Sequence, residues 1–316
     1  MANFLQINRF PGDKMKKLVL LWAFLPALVW ARDPFLSNEF KNLLTAAHNN
    51  DSQMQYEVGK RYYTGEGVGT DKLQGIEWLT KAASQGHVIA QKALGILYLD
   101  GDGPSVPADV AASIQWLERA ASQNDLDSQT LLARFYKDGQ IVTQDYAKAA
   151  QWAELAALQG SAAARYYLGN IYHFGQGREV NLNRAFELYK QSADQGYLDA
   201  FNNAGGMLFA GLGTQKDLVA GYAYWIVGKA LGSESASKNM ENEDKKNSLT
   251  DAQKAQANKM AQEMLRKLGI GNQNSTPAPK ANTNSNKSNA KSTNTSKSNT
   301  RSSSNKTNNK SNNSKK

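Results

Sequence analysis

VGKRYYTGEGVGTDKLQGIEWLTKAASQG, residues 58–86, decides the fold, because its residue types return in register along the chain. Five units begin at Met54, Ala90, Ser128, Ala164 and Ala200, spaced by 36, 38, 36 and 36 residues. Tyr62, Tyr98, Tyr136 and Tyr172 share one position, with Leu208 in the fifth unit. Gly59, Gly95, Gly169 and Gly205 share another, with Ala133 in the third. Gly65, Gly101, Gly139, Gly175 and Gly211 form a third set without exception. Asp71, Asp109, Asp145 and Asp217 form a fourth, with Asn181 in unit four. The two extra residues of unit two fall within 103–107, beside Pro104 and Pro107, so the insertion sits in a loop. A fixed period of this length marks stacked supersecondary units.

The residue types dictate what each unit is. Met54, Val58, Arg61 and Tyr62, then Ala90, Leu94, Leu97 and Tyr98, then Ala164, Leu168, Ile171 and Tyr172 follow the spacing of one helix face. Small residues at the Gly59 position let a second helix approach closely. The Gly65-type residue suits a left-handed helix C-terminus, where a Cβ is strained. The Asp71-type residue then caps the next helix by accepting its free N–H groups. That helix carries Trp78, Trp116 and Trp152 and the pairs Ala82/Ala83, Ala120/Ala121 and Ala156/Ala157. Gly86, Gly160, Gly196 and Gly232 follow its end. The expectation is an all-α, right-handed α/α superhelical solenoid of helix–turn–helix repeats over 54–89, 90–127, 128–163, 164–199 and 200–236. Residues 32–53 supply an N-terminal capping helix. In 237–271, a loop and a C-terminal capping helix close the stack, the helix opening with the capping-box string Thr250-Asp251-Ala252-Gln253. The whole polar stretch 233–248 reads as loop.

Two segments lie outside this body. Met15–Ala31, MKKLVLLWAFLPALVWA, has a basic start, a short apolar run and small residues before its end. It reads as a secretory signal peptide, with Met15 a candidate initiator and Arg32 the first mature residue. The expected location is therefore periplasmic or extracellular. Residues 272–316 hold eight Lys and one Arg and no acid, among Asn, Ser and Thr. No core is possible there, and disorder is expected. The formal net charge of +9 is thus the tail's charge, since residues 32–271 carry 24 basic and 27 acidic side chains. This balance argues against a basic folded face gripping nucleic acid, and a tail without aromatics argues against sequence-specific reading. An anionic cell-surface polymer is the partner the tail's charge suggests.

Several chemistries are ruled out by composition. There is no Cys, so no disulfide, thiolate zinc site or Cys nucleophile exists, and the three His are far apart. No metal site and no cofactor are expected. HExxH, GxSxG and Walker-type loops are absent. Gly65-Glu66-Gly67-Val68-Gly69 looks like a phosphate cradle but joins two helices and recurs per unit, which is turn geometry. His87 reads as a loop residue.

The strings LGILYLDGDG (94–103), IQWLERAAS (114–122) and LGNIYHFGQG (168–177), with 58–86, resemble the Sel-one-like repeat family, a relative of the tetratricopeptide repeats. The resemblance implies a non-enzymatic scaffold that binds a protein or peptide in a concave groove. Some related cysteine-rich secreted proteins have been described as penicillin-binding or β-lactamase-like, which keeps an envelope hydrolase or antibiotic-binding protein as an alternative; a surface-tethering protein driven by the tail is a third. At about 100° per residue, the positions two, six and nine residues into each unit point away from the apolar stripe. They nominate Tyr56, Lys60, Tyr63, Lys92, Leu99, Arg134, Lys137, Tyr166, Asn170, His173 and Phe209 as the partner-binding face.

Overall fold

The computed structural model describes residues 37–270. Among them are thirteen α-helices and no strand, stacked as a solenoid. The N-terminal α1 (Asn38–His48) precedes five helix pairs: α2 (Ser52–Thr64) with α3 (Lys72–Ser84), α4 (Val88–Asp100) with α5 (Val110–Ser122), α6 (Leu126–Asp138) with α7 (Tyr146–Leu158), α8 (Ala162–Phe174) with α9 (Leu182–Ala193), and α10 (Leu198–Ala210) with α11 (Leu218–Ala230). Two further helices, α12 (Glu234–Lys245) and α13 (Asp251–Lys267), end the stack. The expected signal peptide and basic tail lie outside the described residues.

Each expected punctuation mark does the job its chemistry predicts. The side chains of Asp71, Asp109, Asp145, Asn181 and Asp217 accept from the backbone N–H three residues on, starting every second helix. The same residues close the turn through their own N–H, which donates to the carbonyls of Tyr62, Tyr98, Tyr136, Tyr172 and Leu208 at 2.8–2.9 Å. Gly65, Gly139, Gly175 and Gly211 end the first helices in the left-handed conformation, while Gly101, before the insertion, has φ 70° and ψ −176°. Small residues buy proximity at the first-to-second helix crossing: a Cβ on Gly59 would lie 2.9 Å from the Gly75 carbonyl, and one on Gly75 would lie 2.9 Å from that of Gly59. The first helices start two residues before the unit boundaries read from the sequence, because Asp51, His87, Asp125 and Ser161 cap them. His87 is therefore a helix cap and not a plain loop residue: its Nδ1 accepts from the Ala90 N–H at 3.2 Å.

One expectation is corrected. Residues 234–245 form α12, not loop. Ser233 caps it, and Ala236 is fully buried in the register of Ala164 and Ala200. Asn247, with φ 52°, takes the left-handed place that Gly211 holds one unit earlier. The helix is the first half of a sixth, degenerate unit. Its apolar period is broken because Asp244 stands in the register of Tyr62; that carboxylate accepts from the Tyr222 hydroxyl at 2.8 Å and pairs with Lys254 at 2.6 Å. With α13, which packs on α11, it covers the apolar end of unit five. At the other end, Phe40, Leu44 and Ala47 of α1 cover Val58, Tyr62 and Trp78.

The junctions carry a buried polar element that sequence patterning misses. Gln55, Gln91 and Gln129 are buried on the first helices of units one to three. Their Nε2 groups donate to the carbonyls of Ala47, Ala83 and Ala121 at the end of the preceding second helix, at 3.2, 2.9 and 2.9 Å. Their Oε1 atoms accept from Gln85, Gln123 and Gln159 at 2.5, 2.7 and 2.8 Å. Each glutamine thus ties three successive helices and adds a second donor to a helix-end carbonyl that already accepts a turn N–H. In unit four Arg165 takes this register, and in unit five Phe201 does.

Candidate functional site

Most of the predicted face is engaged inside the stack, within a unit or between neighbours. Tyr56 stacks on His87 with ring centroids 4.8 Å apart. The Tyr63 hydroxyl donates to Asp102 of the next unit, and burial with that carboxylate holds its pKa well above the usual phenol range. Lys92 pairs with Asp125 at 3.0 Å and Asp127 at 2.8 Å; these contacts raise its pKa against the lowering effect of burial. Lys137 pairs with Asp138 and lies over the Tyr167 ring. Phe209 stacks on Trp225 at 5.0 Å. Tyr166 sits half-buried among Tyr167, Tyr189 and Tyr197. His173 stacks on Phe174, and burial lowers its pKa.

Asn170 opens a chain of amides across three first helices. Its Oδ1 accepts from the Tyr189 hydroxyl at 2.7 Å and from Asn203 at 3.3 Å; Asn202 donates to Asn203 at 3.2 Å and accepts from Asn239 of α12 at 2.9 Å. Asn202 stands two residues into unit five, in the register of Tyr56 and Tyr166, whereas Asn203 and Asn239 carry no signal in a reading that looks for apolar period.

Lys60, Leu99 and Arg134 remain. Lys60 is exposed and lies 3.6 Å from Glu57. Leu99 and Arg134 come together: they line a cleft of about 400 Å³ between the C-terminal ends of α4 and α6. Phe135 and Ile141 complete its apolar lining, and Asp100 and Asp138 stand in its wall. The guanidinium of Arg134 lies 5.4 Å from the centroid of the Phe135 ring. No serine and no lysine line this cleft. A Ser-x-x-Lys string does occur at Ser235–Lys238, but on α12: Ser235 is exposed, and Lys238 is solvent-facing, 3.8 Å from Glu234.

A sequence model described as the Sel1 repeat matches residues 52–87, 88–125, 126–161, 162–197 and 200–233. The chain belongs to the Sel1 repeat family. The first four repeats as matched start where the helix caps place them, two residues before the sequence boundaries, and the fifth starts at Ala200, two residues inside α10. Among solved structures, the chain is similar to c5321, a protective antigen of uropathogenic Escherichia coli displaying an SLR fold, at 25% identity and a TM-score of 0.61 over 76% of this chain. The chain spans about half the length of that protein, 52%. It is also similar to a Sel1 repeat protein from Oxalobacter formigenes, at 25% identity and a TM-score of 0.52, over 80% of this chain and 98% of that one. No curated protein matches. Sel1 repeats generally mediate protein–protein interaction, and the fold is typically a scaffold and not an enzyme. Among the described residues, no helix is long and apolar enough to cross a membrane.

Proposed function

We propose that this chain is an exported scaffold that binds a protein or peptide on the face of its first helices, with the basic tail as an electrostatic tether to an anionic surface polymer. The observation that carries the binding reading is the contrast between the registers. The buried ones repeat unit by unit, while the outward positions of α4 and α6 differ from those of their neighbours and border an open, partly apolar cleft. Ile96, on that face, is 49% exposed, and a large apolar side chain left in water at a fixed place on a scaffold favours an interface. Export is supported by Met15–Ala31, and the tether by nine unopposed positive charges in residues 272–316.

A photo-cross-linking residue placed at Ile96 or Arg134, expressed from the native gene, tests the face. Cross-linked protein is expected from these sites and not from Leu158, which is 85% exposed on a second helix. Cross-links from Leu158 alone would remove the first-helix face from consideration. Mass spectrometry of the mature N-terminus tests export, with cleavage after Ala31 expected. Equal surface retention of full-length and 1–271 protein at low salt would end the tether reading.

A further inference from the structure

The cleft between α4 and α6 presents two unmatched charges of opposite sign beside an apolar lining. The cleft's third charged residue, Asp138, and other carboxylates of units one to three are already engaged. Asp138 is taken by Lys137, Asp102 by Lys72 and Tyr63, Asp125 and Asp127 by Lys92, and Glu57 by Arg61. Arg134 and Asp100 make no ion pair among the described residues, and although both line the cleft they do not pair with one another. The apolar part continues out of the cleft along α4. Ile89 and Ile96, each 49% exposed, lie seven residues apart on one helix face, with Leu99 at its end. The corresponding positions in unit one are Gln53 and Lys60, and in unit three Asp127 and Arg134, so this stripe belongs to α4.

We infer that the cleft receives one large apolar side chain of a partner peptide, held between an acidic neighbour that pairs with Arg134 and a basic neighbour that pairs with Asp100. The inference rests on the partner-binding reading above and gives it a chemistry. A volume of about 400 Å³ has room for one such side chain with its adjoining backbone. A guest of a single sign finds one match and one repulsion, whereas a peptide with both charges in the right order finds two matches. The apolar contact then supplies affinity, and the charges fix the direction in which the chain lies. The carbonyl end of α4, whose last residue is Asp100, adds negative potential where the basic neighbour goes.

Selection of a displayed random-peptide library on the purified full chain, followed by fluorescence anisotropy with a synthetic peptide of the enriched sequence, tests this. The expected enriched sequence has a Leu, Ile, Met or Phe between an acid and a base. Arg134→Glu is expected to weaken that peptide about tenfold, the size of losing one pair and gaining one repulsion. Changing the peptide's acid to Lys should restore most of the loss, and Asp100→Lys should do the same for the basic side. Both positions are exposed, so circular dichroism should be unchanged in the variants. Enriched peptides that lack the charge pair, or that bind both variants as well as the parent, would overturn the inference and leave the partner-binding reading standing. No enrichment, together with no cross-link at Ile96, would overturn both. A dimer in sedimentation velocity that is lost in Arg134→Glu would assign the cleft to a second copy of this chain instead.

Discussion

The joints of units one to three and those of units four to six solve the same problem differently. In the first group, Gln55, Gln91 and Gln129 sit buried at the start of the first helix and bond helix ends on both sides. In the second, Arg165 takes that register in unit four and reaches the Gly160 carbonyl at 3.5 Å, Phe201 takes it in unit five and packs with Tyr224, and amides appear instead in the half-exposed row of Asn170, Asn203, Asn202 and Asn239. A glutamine in this place is satisfied only when its neighbours stand in one arrangement, so it specifies register. A phenylalanine gains more from burial but is less particular about what covers it. The joints of units one to three are thus built for specificity and the joint of unit five for adhesion.

Four variants break or sharpen this contrast. Phe201→Ala should cost the most, about 3–5 kcal/mol, as for large aromatic deletions in a core. In a stack the loss should be read locally, as faster amide exchange in α10 to α13 with α2 to α5 unchanged. A loss shared evenly by all units would refute the division. Gln129→Ala should cost about 1–3 kcal/mol, because it removes the buried amide's hydrogen bonds to the Ala121 carbonyl and from Gln159 and leaves a void in their place. The paired change Gln129→Leu with Gln159→Leu should recover part of that, seen as a urea midpoint between those of the parent and the single variant. Asp145→Ala removes a cap and should cost about 1 kcal/mol; no shift in midpoint would show that the Asp145 N–H to Tyr136 carbonyl bond holds the turn by itself.

The smallest effect is one of pH. His87 caps α4 through an unprotonated Nδ1 and donates its Nε2 proton to Gln53. Burial lowers its pKa below the ordinary histidine value, and the nearby Asp51 carboxylate pulls the other way. A group whose folded pKa is depressed stabilises the fold above its unfolded pKa and loses that contribution as pH falls through the folded value. Stability from His87 should therefore be full above about pH 6.5 and decline below it. His173, also lowered by burial, titrates in the same direction, so the measurement is the difference between parent and His87→Ser, whose cap does not titrate. A difference that stays constant from pH 7.5 to 5 would dismiss the cap as a pH-sensitive element.

The fold was legible because its punctuation is chemical. Glycine at a left-handed turn, aspartate at a helix start and small residues at a crossing each answer a local requirement, and each recurs. Helix α12 was not legible, because Asp244 and Asn247 stand where tyrosine and glycine would announce a repeat, and a polar run without apolar period reads as loop. The glutamine joints escaped for a related reason: a search for buried positions by hydrophobicity passes over a buried amide. Their signal was nevertheless present, since Gln55, Gln91 and Gln129 align, as do Gln85, Gln123 and Gln159. The candidate face was legible as a register but not as a surface. Helical phase places Tyr63, Tyr166 and Phe209 away from the apolar stripe of their own helix, yet it is blind to Asp102 of the next unit, to Tyr189 and Tyr197, and to Trp225, which the fold brings against them. Leu99 and Arg134 stay beside the cleft because no neighbouring side chain fills the space between the ends of α4 and α6.

The repeated glutamine joint also bears on how such a gene can change length. Where consecutive junctions present the same donors and acceptors, a copying error that drops or doubles unit two still delivers a matching end to a matching start. The chain could shorten or grow by one unit there without any compensating substitution. Past Arg165 and Phe201 the ends no longer match those upstream, so the same error in unit four or five would join surfaces that do not fit. The N-terminal half is the extensible part of this protein, and the C-terminal half is its fixed terminus.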